Sequence, residues 1–181
     1  MKKLFKKLAI AATAATMTFA AAPAKADEMK NHQVLWDALE RAGVEVVVNH
    51  QKACDDNWGG AMYMTFPDKK TAIVICQDNG ANAEFNEQVT WTANDLDSLR
   101  HEAQHVVQDC KHGVIGDNIL DIFMTEEGVR KAVNLYLTGD LVKMITEKYD
   151  QEDHWIEFEA FAVAAGVSPL RIANAVDTVC R

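Results

Sequence analysis

The sequence predicts an α+β fold, a small antiparallel β-hairpin or sheet packed on a mainly helical domain. Three observations support this. Apolar residues recur at helical spacing over most of the second half. Three short runs of β-formers cluster between positions 44 and 76, and the 181 residues fit one globular domain after a separate leader. With 49% hydrophobic and 25% charged residues, the composition is that of a packed globule.

The leader comes first. Lys2, Lys3, Lys6 and Lys7 precede the apolar run Leu8 to Ala22, and Ala24-Lys25-Ala26 is a small-x-small cleavage site. That is the layout of a secretory signal peptide over 1–26, with a run too short for the ~20 residues of a membrane span. The expectation is export, to periplasm or medium, of a single domain over 27–181. The leader holds five Lys and no acid, so its removal leaves 13 basic against 27 acidic residues, a net charge of −14. A nucleic-acid partner and stable membrane association are therefore not expected.

Within the domain, Val34, Leu35, Ala38 and Leu39 set a helix over 31–42, stopped by Gly43. Val44 to Val48 is a β-branched strand. Ala61 to Phe66 and Thr71 to Cys76 form a hairpin across Pro67-Asp68-Lys69-Lys70. Thr92 or Asn94 caps a helix to Cys110, with Leu99, Ala103, Val106 and Cys110 as its stripe. Further helices are expected over 125–137, 140–149 and 152–165, and a last one after Ser168-Pro169. Cys54, Cys76, Cys110 and Cys180 all lie in the exported part. The pairs expected are Cys54–Cys76 around the hairpin and Cys110–Cys180 between the ends of two helices. A four-cysteine zinc site would need CxxC spacing, which the chain lacks.

The chemistry concentrates in His101-Glu102-Ala103-Gln104-His105, an HExxH pentapeptide on a predicted helix. Four residues are about one turn, so both imidazoles leave the same face and can grip one Zn2+. Glu102 lies on the adjoining face, next to Leu99 and Val106. It is placed to take a proton from water activated by the metal, as the general base of a hydrolase. The third ligand is expected on Trp155 to Val163. There Glu159 stands in an apolar stripe with Trp155, Ile156, Ala162 and Val163, and a metal would neutralise it. Glu157 is the fallback, with Asp153 and His154 behind it, and pairing of Glu159 with Arg171 is the alternative to ligation. His112 and His154 are further possible ligands, whereas His32 and His50 read as ordinary surface residues. His154, Tyr149 and Tyr136 are candidates for stabilising an oxyanion.

The HEAQH helix followed by an EFEAFA helix resembles the gluzincin branch of the zincin metallopeptidases. The Glu-x-Glu-Ala-Phe-Ala run is similar to the third-ligand helix of ImmA/IrrE-type peptidases. The resemblance implies a zincin-like fold. It implies one Zn2+ held by His101, His105 and Glu159, with Glu102 as the base. It also implies a peptide or protein substrate, aligned by a hairpin edge beside the active helix. The competing expectation is an exported binding or interaction protein whose metal is structural or vestigial.

Overall fold

The computed structural model describes residues 26–180, except 56, 57, 67, 69 and 118. Residues 1–25 of the expected leader, with Lys2, Lys3, Lys6 and Lys7, lie outside the described residues, as do Pro67 and Lys69 of the hairpin turn. The elements run α1 (Ala26–Arg41), β1 (Val44–Val48), α2 (Gln51–Cys54), β2 (Gly60–Thr65) and β3 (Thr71–Cys76). Then follow α3 (Ala93–His112), α4 (Glu126–Tyr136), α5 (Gly139–Lys148), α6 (His154–Gly166) and α7 (Pro169–Val179). This is the α+β arrangement expected. Gly43 ends α1 with φ +84°, a left-handed conformation that glycine adopts without penalty.

The sheet differs from the expectation in one respect, because it is mixed rather than antiparallel. Its order is β1-β3-β2. The hairpin β2–β3 is antiparallel, with Tyr63 opposite Ile73, but β1 pairs parallel with β3, Val46 opposite Ile73. Placing β1 on the far side of β3 leaves β3 central and buried along its whole length. Alternation then sorts side chains to two faces. Val44, Val46, Val48, Ala61, Ile73 and Ile75 join the main core with Leu35, Leu39, Leu99, Val106, Ile172 and Val176. Val47, Met62, Ala72 and Val74 form a smaller cluster on the other face, against Trp58, Met64 and Phe66.

Both expected disulfides are formed, Cys54–Cys76 and Cys110–Cys180, with Cα atoms 5.4 and 5.0 Å apart. The second closes a 70-residue separation and ties α7 to the end of α3. In the chain-entropy account such a loop contributes about 4 kcal/mol.

Helix α3 is the axis of the fold. Thr92 caps it by accepting from Asp95 N, while the Asp95 carboxylate accepts from Thr92 N. This capping box satisfies two otherwise unpaired N–H groups. Sheet strands β2 and β3 pack on one side of α3 and helices α6, α7 and α1 on the others. Every residue from His101 to Cys110 is consequently buried. Helix α6 is enclosed in the same way, by α3, α4 and α5. Among the described residues, no helix is long and apolar enough to cross a membrane.

Candidate metal centre

Because α3 and α6 pack face to face, the HExxH turn of one meets the acidic turn of the other. His101 and His105 bring their Nε2 atoms within 3.0 Å of each other. The carboxylate of Glu157 completes a triangle, with Oε2 3.4 Å from His101 Nε2 and Oε1 3.5 Å from His105 Nε2. The three side chains are 3%, 1% and 0% exposed. They are the group of donors that could hold a cation among the described residues.

Glu159, the expected third ligand, is elsewhere. Its Oε2 accepts from Gln108 Nε2 at 2.8 Å and Phe123 N at 2.9 Å, and its Oε1 accepts from Met124 N at 2.5 Å. Three N–H donors therefore satisfy this buried carboxylate, without a metal and without Arg171. The third donor beside the imidazoles is Glu157. An apolar stripe cannot tell the two glutamates apart on a helix covered from several sides, and both are 0% exposed.

The other candidates also find places. His112 pairs with Asp121 at 3.1 Å and Asp117 at 3.9 Å, and lies outside the donor group. His154 Nε2 bonds the carbonyl of Tyr149 at 3.1 Å. Tyr136 packs against Gly166, whose missing Cβ would meet its ring at 2.5 Å. Tyr149 is the oxyanion candidate that reaches the centre. Its hydroxyl lies beside the Glu157 carboxylate, without a hydrogen bond of regular geometry, and its ring stands 6.2 Å from Phe161. Phe161 in turn covers His101 at 4.3 Å. His32 is not a surface residue: it is buried and takes a hydrogen bond from Arg100 at 3.1 Å. His50 caps α2, accepting from Ala53 N at 3.3 Å.

Glu102, the candidate base, is 0% exposed and held at one end only. Strand β2 is an edge strand, so the N–H of Tyr63 is free of the ladder and donates to Glu102 Oε2 at 2.7 Å. The other oxygen, Oε1, has no hydrogen-bond partner and lies 4.0 Å from His101 Nε2. Tyr63 also donates its hydroxyl to Asp109 Oδ2 at 2.5 Å, which anchors the strand to α3 at a second point.

Burial sets the protonation states. It lowers the pKa of His101 to about 3 and that of His105 to about 4, with Glu157 partly opposing the second. Both imidazoles are thus neutral at pH 7, the state a metal ligand needs. Burial, and then the negative charge of Glu157, push Glu102 well above the usual carboxylate range. Burial also raises Glu157, against the pull of His105 and Tyr149.

The donor set fits a small divalent cation. One ligand atom from each of the three residues lies within 4.8 Å of the others, a group that a tetrahedral zinc, with its ligand atoms roughly 3.3–3.5 Å apart, could draw together. Both oxygens of Glu157 lack a hydrogen-bond partner despite complete burial. Among the described residues, the ion-pair partners found for Glu157 are the two imidazoles, with no Lys or Arg. An unpaired buried carboxylate of this kind is costly unless something positive sits against it.

The chain matches the family described as Domain of unknown function (DUF8637) over residues 26–180. It belongs to that family. No curated protein and no solved structure matches it.

The sequence missed Gln108 altogether. It lies three residues past His105 on the same helix face, and its Oε1 meets His105 Nδ1 at 2.7 Å. That spacing was a usable signal.

Proposed function

We propose that this protein is an exported zinc-dependent hydrolase, and most specifically a peptidase of the zincin type, with His101, His105 and Glu157 as ligands and Glu102 as general base. The observation that carries the reading is Glu102. One oxygen of this buried carboxylate takes the Tyr63 N–H and so ties β2 to α3, while the other stands unpaired beside the three donors, where no structural partner uses it. Three protein ligands also leave a fourth position open, as a catalytic zinc requires.

When bound, zinc supplies Lewis acidity and a water whose pKa falls to about 7. The chain's own residues do the rest. Glu102, with its affinity for protons raised by burial, accepts a proton from the attacking water and returns it to the leaving amine. The Tyr63 hydrogen bond keeps Oε1 turned toward the donors while this happens. Tyr149 is placed to donate from its hydroxyl to the developing oxyanion. The β2 edge can align an extended peptide by strand addition. The two disulfides support an oxidising compartment, and so export.

One observation favours a second reading. The centre is closed, with its three donors at most 3% exposed, and structural zinc sites are closed too. A non-catalytic exported binding protein would fit that feature. Zinc analysis together with hydrolysis of casein, with and without chelator, separates the two. The hydrolase reading expects one zinc per chain, activity lost in chelator, and a Glu102→Gln variant that keeps zinc without activity. One zinc with no cleavage of any protein or peptide substrate selects the binding protein.

A further inference from the structure

The tautomer of His105 can be deduced from its surroundings. Gln108 Nε2 donates to the Ile156 carbonyl at 3.0 Å and to Glu159 Oε2 at 2.8 Å. The Ile156 carbonyl can only accept, and Glu159 is engaged as an acceptor by Phe123 N and Met124 N as well. A flipped amide would set Gln108 Oε1 against both oxygens, so the observed orientation is the only one allowed. Its Oε1 therefore faces His105 Nδ1, 2.7 Å away, and an amide oxygen cannot donate. The proton must sit on Nδ1. The lone pair of His105 is then on Nε2, the atom that faces His101 Nε2 and Glu157.

His101 lacks such a lock, since its Nδ1 has no hydrogen-bond partner. Of the two imidazoles, one is fixed in a ligating form and the other is free to adjust.

We propose that Gln108 and Glu159 are positioning residues that lock His105 as the Nδ1–H tautomer and so hold its Nε2 lone pair ready for the cation. This rests on the metal reading above. Neither residue touches the donors' meeting point. Gln108 acts through His105, and Glu159 acts through Gln108. Glu159 also draws in the backbone of Phe123 and Met124, which ties the segment before α4 to the same chain of bonds. Outer partners of this kind typically change metal affinity by about 10–100-fold when removed.

The test combines two readouts on the purified protein. Long-range 15N–1H NMR of the metal-free wild type reads the tautomer directly, and should show His105 protonated at Nδ1. Competition with a chromophoric chelator then reads zinc affinity for wild type, Gln108→Leu and Glu159→Gln, with circular dichroism to confirm folding. Gln108→Leu should weaken zinc by about 10–100-fold, shift the visible spectrum of the Co2+-substituted protein and release the tautomer to a mixture. Glu159→Gln should do the same to a smaller degree. A purely structural Gln108 would lower thermal stability and leave tautomer and spectrum unmoved. An Nε2–H His105 in the wild type overturns the inference even if Gln108→Leu does not fold. So does a folded Gln108→Leu with unchanged zinc affinity, and that outcome leaves the metal reading standing. A wild type that binds no zinc removes the metal reading itself, and the positioning role with it.

Discussion

Among the described residues, two buried groups of polar side chains are built on opposite principles. At the ends of β1 and β3, Asn49 and Gln77 saturate each other. Asn49 Nδ2 donates to Gln77 Oε1 and to the Glu87 carbonyl, and Asn49 Oδ1 accepts from Gln77 N. Gln77 adds bonds to both the N–H and the carbonyl of Val89. Asn49 adopts φ 54°, and Gly80 approaches so closely that a Cβ there would lie 2.2 Å from Asn49 Oδ1. Between α3 and α6, by contrast, Glu157 Oε1 and Oε2, Glu102 Oε1 and His101 Nδ1 are left without hydrogen-bond partners. A saturated cluster holds a loop in place. An unsaturated one, equally buried, leaves acceptors for a positive partner, as the proposed metal site requires.

The largest expected effect follows from replacing Glu102. Glu102→Gln keeps the shape and the Tyr63 hydrogen bond but cannot accept the proton. Hydrolysis should fall by roughly 10^2–10^4-fold, with zinc content unchanged. Activity assays paired with metal analysis check this, and retained activity would remove Glu102 from the chemistry.

Much of this was legible in the sequence because it depended on local spacing. His101 and His105 share a face simply by being four apart, and Thr92, one of the two caps offered with Asn94, caps α3, its reciprocal partner Asp95 emerging only in the structure. The cysteine pairs were readable because each residue falls at or near the end of an element. What failed were statements about enclosure. The pattern puts Glu157 second to Glu159 by giving it a solvated helix face, yet α6 is packed by α3, α4 and α5. His32 reads as a surface residue for the same reason, yet Arg100 comes to it from α3. The parallel pairing of β1 was also out of reach, because a β-branched run carries no information about which neighbour it joins. Asn49 and Gln77 sit just beyond strand ends, where a polar residue reads as ordinary loop.

The saturated cluster should answer to mutation with a loss of stability. Asn49→Leu removes the partners of Gln77 N and of the Glu87 carbonyl and one of the two donors to Gln77 Oε1, and puts a branched side chain at positive φ. Leaving such groups unpaired is worth about 3 kcal/mol in destabilisation. Urea unfolding of the metal-free protein measures it. A change within 0.5 kcal/mol of zero would mean that water replaces the lost bonds and that the two clusters are not so different.

The unsaturated cluster should respond with the opposite sign. Glu157→Met removes a buried carboxylate that has no hydrogen bond and fills the space with an apolar chain. Metal-free, this variant should gain about 1 kcal/mol, while zinc binding is lost. With Glu157 a ligand as proposed, such a gain would be the usual trade of stability for activity. If Glu157→Met instead destabilises the metal-free protein, the carboxylate is satisfied in some way that its surroundings do not reveal.

The smallest effect is a dependence of that gain on pH, and its sign can be worked out. Burial raises the pKa of Glu157 in the folded protein, so the folded state holds its proton more tightly than the unfolded chain does. The group's contribution to stability is therefore fully present below the unfolded carboxylate value and is lost as pH rises through the folded one. The imidazoles run the other way. Their folded values of about 3 and 4 lie below the unfolded value near 6.5. Each contributes stability that is present above about 6.5 and lost as pH falls toward 4. In the wild type the two trends oppose each other across the same window. Removing Glu157 takes away its opposing contribution and lessens that of Glu102, which its charge helps to raise, so the variant's stability should climb more steeply between pH 4 and 6.5 than the wild type's. The advantage of Glu157→Met over wild type should accordingly widen with pH, as unfolding at several pH values in chelator will show. An advantage that stays constant from pH 4 to 8 would mean that Glu157 titrates alike in folded and unfolded chains, and the contrast with the Asn49–Gln77 cluster would lose its electrostatic basis.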